Sequence, residues 1–176
     1  MGALRTIFLT GLMGAGKSSV ARELGKLLGA EVLDADEVVE REAGMKIPQI
    51  FAAEGEAGFR ARERAAVVAL AERGGVVVAL GGGALAQAGV AELLCERGVV
   101  VYLRARAETL ARRVGSGAGR PLLAGLDESG RLAKLRELLA AREPFYRKAQ
   151  LIVDTDNRPP RKIAGEIAER LREVAP

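Results

Sequence analysis

Gly11-Leu-Met-Gly14-Ala-Gly16-Lys17-Ser18 fits the pattern G-x-x-x-x-G-K-[ST] near the start of the chain. Such a loop binds phosphate largely through main chain. Its glycines let amide N–H groups turn inward, and the helix that follows offers unsatisfied amides and a positive dipole end. On this reading Gly14, Ala15, Gly16, Lys17, Ser18 and Ser19 surround nucleotide phosphates, with Lys17 facing the β- and γ-phosphates and Ser18 facing Mg²⁺. The run Thr6-Ile-Phe-Leu-Thr10 before it reads as a strand and the residues after it as an amphipathic helix, the context the pattern requires. A glycine-rich turn with an incidental lysine is the bland alternative, and that context argues against it. The loop alone fits GTPases, ATPases and small-molecule kinases alike.

The chain has no histidine, so a general base must be a carboxylate, a lysine, a tyrosine or Cys95. Asp34-Ala-Asp36 follows a short apolar run, at a strand end where open α/β sheets build their sites. The two carboxylates are expected to point in different directions, one serving the metal side and the other meeting an acceptor hydroxyl. Aspartate also favours helix N-caps, and Glu37-Val-Val-Glu40 continues helically; capping and catalysis are compatible. Arg60 and Arg142 each admit two readings, a salt bridge to a nearby glutamate or a forked donor for an anionic ligand. Arg142 falls four residues after Leu138 and seven after Leu135, on an inward-facing stripe where an arginine needs an anionic partner. Gly81-Gly82-Gly83 is either a tight turn or a strip for close backbone approach to a ligand. Gly115-Ser-Gly-Ala-Gly119, followed by Arg120-Pro-Leu-Leu123, is too glycine-rich for a stable helix. It is a surface connection, or a flexible hinged lid over about residues 115–126 whose arginine closes on a ligand.

These residues need elements to position them. Short β-rich runs at Thr6–Thr10, Glu31–Leu33, Val76–Leu80, Val99–Leu103 and Leu151–Val153 alternate with helical periodicity. The predicted helices are Lys17–Leu28, Glu56–Arg73, Gly89–Glu96, Ala107–Val114, Ser129–Glu143 and Arg161–Val174. Strictly alternating strands and helices imply a three-layer α/β sandwich around a five-stranded parallel sheet, because parallel strands need crossovers.

At 176 residues the chain suits one sizeable core rather than two domains. With 49% hydrophobic and 28% charged residues it lies far from the composition of disorder. No apolar run approaches the roughly 20 residues that span a bilayer. Cys95 is the only cysteine, which excludes an intramolecular disulfide and any multi-cysteine metal site; it falls in a helix and reads as core. The net charge of +4 is interleaved along the length rather than concentrated, which disfavours nucleic acid and suits gathering small anions.

Taken in order, GLMGAGKSS, LDADEVVE, IFAAEGEAGFRARE, GGGAL, GRPLL and REPFYRKA make the chain resemble shikimate kinase over essentially its whole length. The resemblance implies a P-loop NTPase fold like that of nucleoside-monophosphate kinases, with ATP and Mg²⁺. It implies γ-phosphoryl transfer to the 3-hydroxyl of shikimate, giving shikimate 3-phosphate and ADP on the route to chorismate and aromatic amino acids. It also implies that Arg60 and Arg142 bind the acceptor carboxylate, Gly82 donates its amide, and Asp36 binds hydroxyl and acts as base. Arg120 then meets the transferring phosphates, making Lys17, Asp36 and Arg120 the catalytic set, and Arg158 lies on the adenine side or is simply an exposed loop arginine. Two positions depart from the pattern. Ser19 stands where the family often has threonine, and Gly81 rather than an acid ends the third strand, so the outer metal role passes to Asp34. A gluconate kinase would share the loop but not Arg60, Gly82 and Arg142. A regulatory module without catalysis would keep the glycines, but the retained Asp36 and Arg120 argue against it. The expected partners are ATP and shikimate, without nucleic acid or membrane, in a cytoplasmic monomer of one domain spanning 1–176.

Overall fold

The computed structural model describes residues 5–174. β1 (Thr6–Thr10) leads through the glycine-rich loop into α1 (Lys17–Leu28). β2 (Val32–Asp34) runs directly into α2 (Ala35–Ala43), and α3 (Ile47–Ala71) brings the chain to β3 (Val77–Ala79). α4 (Val90–Arg97), β4 (Gly98–Arg104) and α5 (Ala107–Val114) follow, then α6 (Glu128–Tyr146), β5 (Leu151–Asp154) and α7 (Pro160–Val174).

The five strands form one parallel sheet in the order β2-β3-β1-β4-β5. β1 is central, with Ile7 in register with Val77 on one side and Val99 on the other. α1 packs on α7, α2 on α3 and α5 on α6. Because helices flank the sheet, β1, β3 and most of β4 are buried along their length, which is why they read as continuous apolar runs rather than as alternating ones. From β1 the chain builds β2 and β3 on one side and β4 and β5 on the other. That arrangement opens a crevice at the carboxyl ends of the strands, where Gly11, Asp34 and the triple glycine all emerge. Among the described residues no helix is long and apolar enough to cross a membrane.

The five strands and six helices of the sequence pattern are present, with three differences. α2 is an additional helix, nucleated by Asp34, whose side chain accepts from the Asp36 and Glu37 amides. α6 continues past Glu143 to Tyr146, because Pro144 forfeits one bond to the preceding turn but only one short turn remains. α3 starts at Ile47 rather than Glu56, since Gly55 interrupts it without ending it.

Gly55 takes φ 71° and ψ −178°, a region open in practice to glycine alone. The break is structural. Residues eight apart on a straight helix lie about 12 Å apart along its axis, whereas the rings of Phe51 and Phe59 meet at 4.8 Å. Folding the helix at Gly55 closes that aromatic pair and lays the Phe59–Glu63 turn beside the crevice, with Phe59 and Glu63 buried. Gly55→Ala should therefore lower unfolding stability by about 1–3 kcal/mol, read from urea midpoints, although a Cβ there meets no neighbouring atom.

Candidate active site

The loop after β1 turns on Gly14 and Gly16, at φ 83° and 91°. α5 packs against its back: a Cβ on Gly14 would lie 3.0 Å from Val114 Cγ1. Gly16 stands at the N-cap of α1 and no side chain caps that end, so first-turn amides are left for a ligand. Lys17 Nζ donates to the carbonyls of Gly11 at 2.6 Å and Leu12 at 3.2 Å, bracing the loop with the ammonium that a phosphate would draw away. Burial lowers the Lys17 pKa to about 8; nearby Asp36 opposes the shift, while Arg120 and Arg142 add to it.

Ser18 Oγ donates to Asp34 Oδ2 at 2.8 Å, while Asp34 Oδ1 accepts from the Asp36 and Glu37 amides. Asp34 is thus both helix cap and neighbour of the loop serine. The two aspartates do point apart, and strand alternation, which would put residues two apart on one face, is not the reason. Asp34 ends β2, whereas Asp36 sits in the first turn of α2, and the change of element redirects it.

Asp36 meets the glycine strip. A Cβ on Gly81 would fall 3.0 Å from Asp36 Oδ1 and 2.3 Å from Glu63 Oε2, so two carboxylates converge where the third strand carries no acid of its own. Both of those oxygens are buried without a hydrogen-bond partner among the described residues. Burial, then repulsion from Asp34 and Glu63, raises the Asp36 pKa to about 6 against the pull of Lys17 and Arg120.

Glu63, given no role by the sequence pattern, is fully buried; its Oε1 accepts from Arg60 at 2.8 Å and from Gln87 at 2.8 Å. Arg60 therefore makes the salt bridge to a nearby glutamate, Glu63, and its Nη1 lies 2.5 Å from a notional Cβ on Gly83. Arg142 does not form the salt bridge: it is 8% exposed, its Nη1 lies 3.3 Å from a notional Cβ on Gly82, and among the described residues no carboxylate lies within ion-pairing distance of it.

On the opposite side, Arg158 is held by the Asp154 carbonyl at 2.8 Å and Glu166 at 2.7 Å. Arg120 precedes a short 3-10 turn, Pro121–Leu123, within a segment of successive tight turns. Arg113, not singled out from the sequence, also reaches the cleft, donating to the Thr155 carbonyl at 2.7 Å and to the Gly14 carbonyl at 3.3 Å. In sequence it is one of two arginines ending an amphipathic helix, which gave no signal. Cys95 is half-buried rather than core, on α4 with its Sγ 3.6 Å from the Lys148 carbonyl.

A cleft of about 530 Å³ is lined by the candidate ligand-contacting residues, from Gly14 through Ser19 to Asp34, Asp36, Arg60, Gly82, Arg120, Arg142 and Arg158. A family model of shikimate kinase matches residues 13–172. The chain belongs to the shikimate kinase family. It is 48% identical over 167 residues to a shikimate kinase of Halorhodospira halophila, covering 94% of this chain and 93% of that one. With a Pseudomonas aeruginosa shikimate kinase the identity is 44% over 171 residues, covering 97% and 98%. A shikimate kinase from Acinetobacter baumannii, solved in complex with shikimate, superposes with a TM-score of 0.92 at 42% identity, over 97% of this chain and 94% of that one. The shikimate kinase assignment makes this chain a kinase with ATP as phosphoryl donor.

The raised pKa of Asp36 gives a stability prediction. Folded Asp36 keeps its proton to about pH 6, whereas the unfolded residue releases it near 3.8, so the folded state binds more protons between these values. Its contribution is fully present below about pH 4 and lost as pH rises through about 6. Asp36→Asn should thus stabilise the ligand-free protein at pH 7.5 by up to roughly 2–3 kcal/mol in urea unfolding, with the advantage fading toward pH 4.

Proposed function

We propose that the chain transfers the γ-phosphoryl group of ATP to the 3-hydroxyl of shikimate, giving ADP and shikimate 3-phosphate. The observation that carries the acceptor is Arg142, a buried guanidinium facing Gly82 without a carboxylate partner among the described residues. A buried charge of this kind is destabilising unless an anion completes it, and the carboxylate of shikimate supplies one. Arg60, fixed by Glu63, offers a second forked donor across the glycine strip. The ring hydroxyls would donate to the unpartnered oxygens of Asp36 and Glu63.

ATP takes the other half of the cleft. Its phosphates lie on the loop amides and α1 N-terminus, drawing Lys17 Nζ from the Gly11 and Leu12 carbonyls, while Arg158 and Arg113 flank the nucleotide's far end. The Ser18 hydroxyl, with Asp34 2.8 Å behind it, fits a hydrated Mg²⁺ that takes its other ligands from phosphate and water. When bound, the ion would neutralise charge on the β- and γ-oxygens. Asp36, ionised above about pH 6, orients the acceptor hydroxyl and accepts its proton as the oxygen attacks phosphorus. Lys17 and Arg120 stabilise charge spreading over the transferring group, and closure of the 115–126 lid keeps out water that would compete as acceptor. One cleft holds both sets of residues, which suits a monomer of a single domain, and ATP with one free cysteine suits the cytoplasm.

The test is ADP release measured with shikimate, with gluconate and with no acceptor. Activity should require shikimate; equal rates with gluconate, or nucleotide binding with no turnover, would reject the proposal. Asp36→Asn should lower kcat by about 10²- to 10⁴-fold with a far smaller effect on nucleotide affinity. Arg142→Lys, which keeps the charge but loses the fork, should raise the KM for shikimate by roughly 10- to 100-fold.

A further inference from the structure

Gly81, Gly82 and Gly83 line the acceptor half of the cleft with no side chains to lock them, and glycine is the least constrained backbone. All three carbonyls are nonetheless tied. Gly81 accepts from the Ala84 amide at 3.2 Å and Gly83 from the Ala86 amide at 3.3 Å, both within the tight turn that follows. The Gly82 carbonyl instead accepts from the hydroxyl of Tyr146, on α6 and 64 positions away in sequence.

That bond fixes the peptide unit joining Gly82 to Gly83, the unit wedged between two guanidiniums. Arg142 lies against Gly82 and Arg60 against Gly83. None of these bonds uses the Gly82 amide. Tyr146 is fully buried, its ring packs on Tyr102 with centroids 4.9 Å apart, and it sits one helical turn after Arg142 on the same face of α6. Burial pushes its phenol up to about 12, so it remains a donor at working pH.

We propose that Tyr146 is a positioning residue for the acceptor. Its hydroxyl holds the Gly82–Gly83 peptide where the Gly82 amide, Arg60 and Arg142 converge on one anion. The inference rests on reading this half of the cleft as the shikimate site. A residue that only fills the core would affect stability without favouring one substrate, so the two roles separate in the kinetics.

Tyr146→Phe keeps the ring and deletes the hydroxyl. The KM for shikimate should rise about tenfold while the KM for ATP stays within about twofold, with saturating shikimate restoring most of kcat. Tyr102→Phe removes the neighbouring buried hydroxyl, which donates to Glu143 at 2.5 Å and not to the strip. It should leave both constants within about twofold of wild type. A Tyr146→Phe enzyme with unchanged KM for shikimate, or with both constants raised together, overturns the proposal. Wild-type ADP release that ignores shikimate overturns the functional reading and this inference with it. A second measurement holds even if Tyr146→Phe does not fold. The chain has two tyrosines, so 3-fluorotyrosine in the Tyr102→Phe protein gives one ¹⁹F resonance from Tyr146. It should shift on adding shikimate and stay in place on adding ADP; a line indifferent to shikimate refutes the role.

Discussion

Asp36 and Glu63 each leave one carboxylate oxygen buried beside Gly81 and, among the described residues, unpartnered, while Arg142 is buried against Gly82 with no acid of the described residues within ion-pairing distance. The other Glu63 oxygen accepts from Arg60 and Gln87. The glycine strip thus meets acids at Gly81 and a guanidinium at Gly82. The cost of keeping charges apart and out of water runs to several kcal/mol per group. Burial, with repulsion from Asp34 and Glu63, raises the pKa of Asp36, and the convergence of the two acids leaves the position after Leu80 no room for a side chain. An added Cβ at Gly81 would overlap Glu63 Oε2 at 2.3 Å.

The remaining structure keeps these groups in place. Parallel strands buried on both faces give a rigid floor, and their carboxyl ends release Gly11, Asp34 and the strip at one edge. α2 starts without a connecting loop, so Asp34 can cap the helix and still reach Ser18, while Asp36 turns inward two residues later. The fold in α3 brings Phe59, Arg60 and Glu63 in from the side, and α6 brings Arg142 and Tyr146 from above the strip. Each site residue is thus set by a helix end, a helix break or a buried bond, and the free energy of packing those elements offsets the cost of the unpaired charge.

Features with local causes were legible in the sequence. The phosphate loop is read from spacing within eight residues, the central strands from apolar runs, and Arg142 from its place on an inward stripe. Features created by distant contacts were not. Glu63 resembles any helical glutamate until Gly81, Arg60 and Gln87 are seen to bury it. Arg113 acquires its place only when Thr155 and the loop carbonyls surround it. The predicted helix begins at Glu56, just after Gly55, because sequence shows that a helix is disfavoured at that glycine but not that aromatic packing carries it across.

The same electrostatics accounts for where Arg120 sits. Its charge already depresses the Lys17 pKa, in a region where Arg142 acts in the same direction. A third cation fixed permanently inside would add repulsion with nothing to balance it. Arg120 is instead exposed, on a segment of successive i to i+3 turns, with Leu123 the buried anchor after it. On the proposed reading, a bound triphosphate would reverse the balance, since several negative charges would then face Lys17 and draw the arginine inward. The proposed closure therefore needs no separate trigger: nucleotide binding converts a repulsive neighbour into an attractive one, and the glycines at 115, 117 and 119 give the chain room to move.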